Sequence, residues 1–440
     1  MTQTRIIDWL QNLWISILII SPLVIMIKAV PHDWAGWVLV YFSYGIILCF
    51  KDFWEDGPLT FVMFLIISIY HAFAITNVYC ATFLSGGADA LDFHETAVRL
   101  VYGETTWQFG REIYELILSY FYKVFGPSLF FGGELSVFWM VLSLIIMVKT
   151  IRLLGLWQYR VGLMLLFGLL PSVIMFGTVS LREPLEVLFF LLTVYLTLKQ
   201  RKSSTVKRGL LILAVITAFG MLHDGLLLYS VFLIVFNLYW GFKIDKKKIW
   251  GRFQRFLALI LSLAFALAWI SVTKEFGNAI SALATGESLN YVENYRTASS
   301  SSRTTYGLLI DSSSSFGTVT NLPIMFLNYM FAPFIWQIGH LYDLYASMEA
   351  ILRFSLICFS LLLWRRSQSE MRSQLGFLLV LFFTLEFTWS MGTIAWGTAI
   401  RHHLPAYGLL VLTGGPGLLA FLRKMVSRAA AGSERTTGGR

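Results

Sequence analysis

Residues 128–148 read SLFFGGELSVFWMVLSLIIMV, and Lys149 and Arg152 follow at once. A helix needs about 20 predominantly apolar residues to cross the roughly 30 Å hydrocarbon core of a bilayer. The stretch therefore reads as a transmembrane helix with a basic flank on one side, and the same pattern recurs along the chain. Candidate spans are 11–30, 35–50, 59–78, 128–148, 161–179, 184–199, 209–222, 226–241, 256–273, 345–364, 374–393 and 404–422. The pair 209–222 and 226–241 is short and also suits a re-entrant hairpin. The first run, from Leu10 to Val30, is too long for a signal peptide and lacks a small-residue cleavage site, so it is expected to stay as a span.

Composition agrees. Hydrophobic residues make up 57% of the 440 and charged residues 13%, about half the charged fraction of an ordinary soluble protein. The net charge of +9 does not mark a nucleic-acid binder, because the basic residues fall in short clusters between apolar runs. These clusters are Lys149/Arg152/Arg160, Lys199/Arg201/Lys202/Lys207/Arg208, Lys243/Lys246/Lys247/Lys248/Arg252/Arg255, Arg365/Arg366/Arg372 and the tail 423–440. With twelve spans every cluster falls on one side, together with the N-terminus, and the positive-inside rule makes that side cytoplasmic. The expectation is an all-α integral membrane protein of about 12 transmembrane helices, a single polytopic domain over 1–440 with both termini cytoplasmic. Two long extracytoplasmic loops, 79–127 and 274–344, complete it, the second closing in an apolar piece, Leu322 to Trp336, that lies in or dips into the interface.

Ionisable residues gather on the outer side in this topology. The first loop carries Asp89, Asp92, His94, Glu95, Arg99, Glu104, Arg111 and Glu112. The turn after the fifth span holds Arg182-Glu183, the turn after the seventh His223-Asp224, and the last outer turn Arg401-His402-His403. Singly, each has an ordinary reading as solvated loop, helix cap or interfacial side chain. Together they place arginine, acid and histidine at one membrane face, a set that suits a lipid phosphate and an acid–base step. Inside the spans the ionisable residues are chiefly His71 and Glu386. Cys49, Cys80 and Cys358 lie far apart, without disulfide or zinc spacing.

Residues 86–97, GGADALDFHETA, resemble the first-loop motif of the GT-C superfamily of membrane glycosyltransferases, where an acid is followed at steps of four by an aromatic and a small residue. Asp89, Phe93 and Ala97 fit. Tyr114 to Gly126 is similar to the family's amphipathic segment leading into the next span, and Leu170–Phe176 with Leu181–Pro184 to its helix–turn–helix. Gly397 to Pro405 resembles the Arg-containing start of a late span. The resemblance implies transfer of a sugar from a polyprenyl-phosphate carrier to a glycan, lipid or protein acceptor, on the outer face of a bacterial inner membrane, in envelope polysaccharide assembly. It makes Asp89 the catalytic base, with Asp92 as its local competitor. Arg401 and Arg182 would neutralise the carrier phosphate, with His94, Glu183, His402 and His403 in the same substrate-binding set. Three spans precede the motif where the family usually has one. Asp89 and Asp92 are three apart rather than in an Asp-x-Asp pair, so no metal or other cofactor is expected. Two other readings fit the layout: a polysaccharide polymerase or ligase acting on undecaprenyl-diphosphate glycans, and a multi-span transporter.

Overall fold

The computed structural model describes residues 30–80, 87–106, 113–241, 304–306 and 315–437, with Val24, Met26 and Lys28. The expected span 256–273, almost all of span 11–30, the basic cluster 243–255, the loop residues 274–303 and 307–314, and Arg111 and Glu112 lie outside the described residues. Within the described residues the structure is helical without a strand, apart from one isolated bridge between Thr305 and Ala395. The main helices are α1 (Trp34–Leu48), α2 (Gly57–Tyr79), α3 (Gly87–Tyr102), α4 (Ile113–Phe125), α5 (Leu129–Leu153), α6 (Arg160–Gly168) and α7 (Pro171–Gly177). They continue with α8 (Glu183–Lys202), α9 (Val206–Gly220), α10 (Asp224–Gly241), α11 (Ser315–Phe331), α12 (Leu341–Arg366), α13 (Ser369–Gly392), α14 (Trp396–His402) and α15 (Leu404–Thr437).

Five of them are long and apolar enough to cross a membrane: α2, α5, α12, α13 and the Leu404–Arg428 part of α15. Their outward faces carry Phe61, Leu65 and Phe73 on α2 and Ile351, Phe354 and Leu361 on α12, all exposed. Such faces would aggregate in water and match hydrocarbon instead. The protein is membrane-embedded. The expected span 161–179 is not one straight helix: α6 and α7 meet at a bend of 61°. The cause is local, since Leu170 precedes Pro171 and proline drives the residue before it out of the helical region. With that pair counted as one broken span the described residues carry six. The segments 35–50, 184–199, 209–222 and 226–241 are helices too, but short or charged. Fifteen-residue α1 and α9 reach only about 22 Å at ~1.5 Å per residue.

Two more segments take definite form. The apolar piece at the end of the 274–344 loop belongs largely to helix α11, which buries Met325, Tyr329 and Met330 and exposes Ile324 and Leu327. Arg401 and His402 sit in no turn: they close the short helix α14.

The chain forms two compact units. One comprises Met1–Trp107, Tyr114–Val141 and Ile174–Pro184, the other Gln108–Ile113, Leu142–Val173 and Leu185–Arg440. In the first, Phe130 packs on Trp37 at 4.9 Å and on Tyr79 at 5.3 Å between ring centroids. Asp33 accepts hydrogen bonds from Tyr79 and Ser128, and Ser128 Oγ caps α5 by accepting from Phe131 N at 3.0 Å. Within α2 and α5, buried His71 Nδ1 and Glu134 Oε2 lie 2.6 Å apart. In the second unit α12 and α15 pack so closely that a Cβ at Gly414 would lie 2.2 Å from the Leu356 carbonyl oxygen. Next to it Ser360 Oγ and Thr413 Oγ1 bond across the helices at 2.8 Å. Small residues and interhelical hydroxyl bonds are how helices associate where lipid removes the hydrophobic drive between them.

Candidate functional site

In the first unit the expected loop motif is helix α3. Ala90 and Ala97 are buried and Phe93 and His94 half-buried, one face at spacings of three and four, while Asp89, Asp92, Glu95 and Arg99 are exposed on the rest of the surface. Asp89 stands in the first turn, where the positive end of the helix dipole favours a carboxylate. Helix α4 receives the buried face. Its Tyr114, Leu118 and Tyr122 recur every four residues and are buried, while Tyr120 and Val124 are exposed; it stops at Gly126, whose φ of +91° suits glycine.

The two amphipathic helices are tied by named contacts. Phe93 meets Tyr114 edge-on at 5.3 Å, and His94 Nδ1 lies 2.7 Å from the Tyr122 hydroxyl. Tyr122 gives its one phenolic proton to the Ser128 carbonyl at 3.1 Å. The His94 bond therefore runs from Nδ1–H to the phenol oxygen, leaving the lone pair on Nε2. Partial burial lowers the His94 pKa below its usual value, against a smaller opposing pull from Glu95. Burial also raises the Tyr114 and Tyr122 hydroxyls, keeping both protonated. This convergence needs Gly132, since a Cβ there would lie 2.7 Å from Tyr122 Oη and 2.8 Å from Ser180 Oγ.

Arg182 joins the same unit from the turn before α8, its guanidinium 5.7 Å from the Phe93 ring centroid. Glu183 is buried at the first position of α8. Its negative charge, with that of Glu115, acts on buried Tyr114, whose hydroxyl lies 3.3 Å from Ser180 Oγ. Thus His94, Arg182 and Glu183 cluster around α3 and α4, with Asp89 and Asp92 on the outward side.

In the second unit His402 and His403 are held against α13, and Arg401 precedes them in the last turn of α14. His402 stacks on Trp389 at 3.8 Å with planes 14° apart, and its Nδ1 lies 2.8 Å from Thr393 Oγ1. His223 meets the same Trp389 edge-on at 4.6 Å. His403 is buried, with Nδ1 2.5 Å from Glu386 Oε2 and Nε2 3.2 Å from the Tyr329 carbonyl. A carbonyl can only accept, so Nε2 donates, and a single proton remains for Nδ1 and Glu386 to share. The pair is neutral wherever that proton sits, which makes burial between apolar helices tolerable.

A second buried network adjoins it, and its charged members escaped the sequence reading. Arg353 donates to the Met330 carbonyl and, through Nη2, to Tyr407 Oη at 2.8 Å. Tyr407 in turn donates to Glu349 Oε2 at 3.1 Å, while Glu349 Oε1 accepts from Ser172 N at 2.8 Å. The signal was there: Glu349 and Arg353 stand four apart in an apolar span, one turn on the same face. Glu134 was missed likewise, because its partner His71 is 63 residues away.

A cleft of about 760 Å³ lies between α10, α11 and α13, lined by Leu228, Phe232, Phe326, Phe383 and Phe387 among others. Its threonines return their hydroxyls to their own helix, Thr384 to Val380 O at 2.7 Å and Thr388 to Thr384 O at 2.8 Å. The lining is thus suited to hydrocarbon. Among the described residues no three His, Cys, Asp or Glu side chains form a metal-ligand group. Comparison of the chain with protein-family models, curated proteins and solved structures finds no match.

Proposed function

We propose that this protein is a membrane glycosyltransferase that moves a sugar from a polyprenyl-phosphate carrier to an acceptor on the outer face of a bacterial inner membrane. The observation that carries the reading is the pair α3 and α4. Two amphipathic helices follow one membrane-length helix, α2, and precede another, α5, and they present Asp89 exposed while fixing the opposite face through His94, Phe93 and Tyr122. An alcohol acceptor is a weak nucleophile. As its oxygen bonds to the anomeric carbon, the bond from that carbon to the phosphate oxygen breaks, and Asp89 takes the hydroxyl proton. Asp92, one turn along, is the competing base. The departing phosphate gains negative charge, which an arginine fork stabilises; Arg182, in the same unit as Asp89, is the candidate for that role, and Arg401 with His402 are the second unit's candidates for binding phosphate. The cleft on α10, α11 and α13 matches the carrier's isoprenoid chain in chemistry.

Lipid extraction from a strain lacking the protein, followed by mass analysis, tests this. Build-up of a monophosphate-linked sugar supports the reading. Build-up of diphosphate-linked repeat units would assign a polymerase or ligase instead, and an unchanged lipid pool would remove both.

A second reading, solute transport, gains from the buried Glu349–Tyr407–Arg353 chain and the His71–Glu134 and Glu386–His403 pairs. Ionisable groups inside apolar helices are costly and mark pathways in transporters. Uptake of a labelled solute by the protein in liposomes would establish it.

A further inference from the structure

Four basic side chains from four helices of the second unit converge where α5 turns into α6. Arg152, in the last turn of α5, holds its guanidinium carbon 4.1 Å from the Trp157 ring centroid, and that of Arg160, which opens α6, is 5.2 Å from the same ring. Arg160 also donates to the Trp157 carbonyl at 3.2 Å. Arg423 of α15 lies 5.6 Å from the Tyr159 ring centroid, and Lys202 at the end of α8 donates to the Leu153 carbonyl at 2.8 Å. Arg152, Lys202 and Arg423 are exposed and Arg160 half-exposed. The three stretches that supply them, 149–160, 199–208 and 423–428, contain eleven lysines and arginines and no acid.

We infer that this cradle binds the anionic headgroup of a phospholipid in the cytoplasmic leaflet. Arginine is the side chain suited to phosphate, because its guanidinium is a planar fork of N–H donors, and three of them gather here around two aromatic rings. The depth is also right. Arg152 comes four residues after Val148, the end of the apolar run of α5, and Arg423 directly follows Leu422, so the cluster lies where hydrocarbon gives way to headgroups. Trp157 and Tyr159 are the residue types that settle at that level. A basic pocket between membrane helices on the cytoplasmic side is a headgroup site on electrostatic grounds. Position in the membrane also selects lipid over soluble polyanions.

The test is lipid binding to the full-length protein in neutral detergent, by native mass spectrometry, with phosphatidylglycerol and phosphatidylcholine as probes. Phosphatidylglycerol should bind more tightly, and R152Q/R160Q/R423Q together should weaken it on the order of a hundredfold, from about fivefold per basic residue. The control R365Q/R366Q/R372Q, three exposed arginines where α12 ends and α13 begins, should change it less than threefold. Should the triple variant not fold, Arg423→Gln alone, at an exposed position, should cost about fivefold. Equal binding of the two lipids would overturn the proposal, as would equal losses in the triple variant and the control. Displacement of phosphatidylglycerol by millimolar inorganic phosphate would overturn it too, by making this a site for free phosphate.

Discussion

Replacing Arg353 by Leu removes the one cation from a buried chain that runs from the Met330 carbonyl through Tyr407 to Glu349. Glu349 would then lie among apolar helices without its cation, supported by Ser172 and the Tyr407 hydroxyl. Breaking a buried charge pair by deleting one partner costs about 3–5 kcal/mol, most of it from the charge left behind. Removing that charge as well should give back a large part of the loss. In a double-mutant cycle, Arg353→Leu should be less stable than Arg353→Leu/Glu349→Gln, with a coupling of about 1.5 kcal/mol or more. Unfolding of the purified protein in detergent, by heat or by added SDS, provides the four stabilities. The two sites are joined through one hydroxyl, so additivity within about 0.5 kcal/mol, the behaviour of independent positions, would refute the reasoning.

Three further outcomes follow from the packing. Gly414→Ala should destabilise by about 1–3 kcal/mol, since its Cβ would meet backbone of α12 rather than a side chain able to turn away; the same unfolding assay measures it. Tyr122→Phe should cost about 1–2 kcal/mol, because it removes the donor to the Ser128 carbonyl and the acceptor for His94 together; hydrogen exchange should show α3 losing protection before α5. His94 gives a pH dependence. Its folded pKa is depressed, so the unfolded chain takes the proton first. This contribution is therefore complete above about pH 6.5, the ordinary histidine value, and is lost as pH falls from there toward the lower folded value. Protection of α3 should drop between pH 7.5 and 5.5, and more steeply in the wild type than in His94→Gln.

The membrane class and five of the spans were legible because length and apolarity of a run are local properties. The limits read as 59–78, 128–148, 345–364, 374–393 and 404–422 fall within the observed helices, apart from one residue at each of two ends. What was not legible was whatever depended on a partner far along the chain. His71 was noticed as an intramembrane residue and Glu134 was not, since only the packing of α2 on α5 makes them a pair. His403 was grouped with Arg401 and His402 by adjacency, yet on a helix successive residues point about 100° apart. One of the three thus turns to Glu386 while its neighbour stacks on Trp389. The bend at Pro171 and the i, i+4 pair Glu349/Arg353 had local signals that the count of apolar residues outweighed. Asp89 and Asp92 were expected in the first outer loop and stand on helix α3 instead; that one of them is the base remains the proposal.

The most direct test of that proposal is a chromosomal Asp89→Asn substitution, with the lipid-linked sugars of the mutant measured by mass spectrometry beside wild type and a control, Glu95→Gln, at an exposed acid of the same helix. Asparagine keeps the size and hydrogen-bonding reach of the exposed side chain but cannot take a proton. The account predicts that the monophosphate-linked sugar accumulates in Asp89→Asn to the level seen without the protein, while membrane levels of the protein are unchanged and the control accumulates little. A lipid-linked pool in Asp89→Asn identical to wild type, at equal protein abundance, would contradict it.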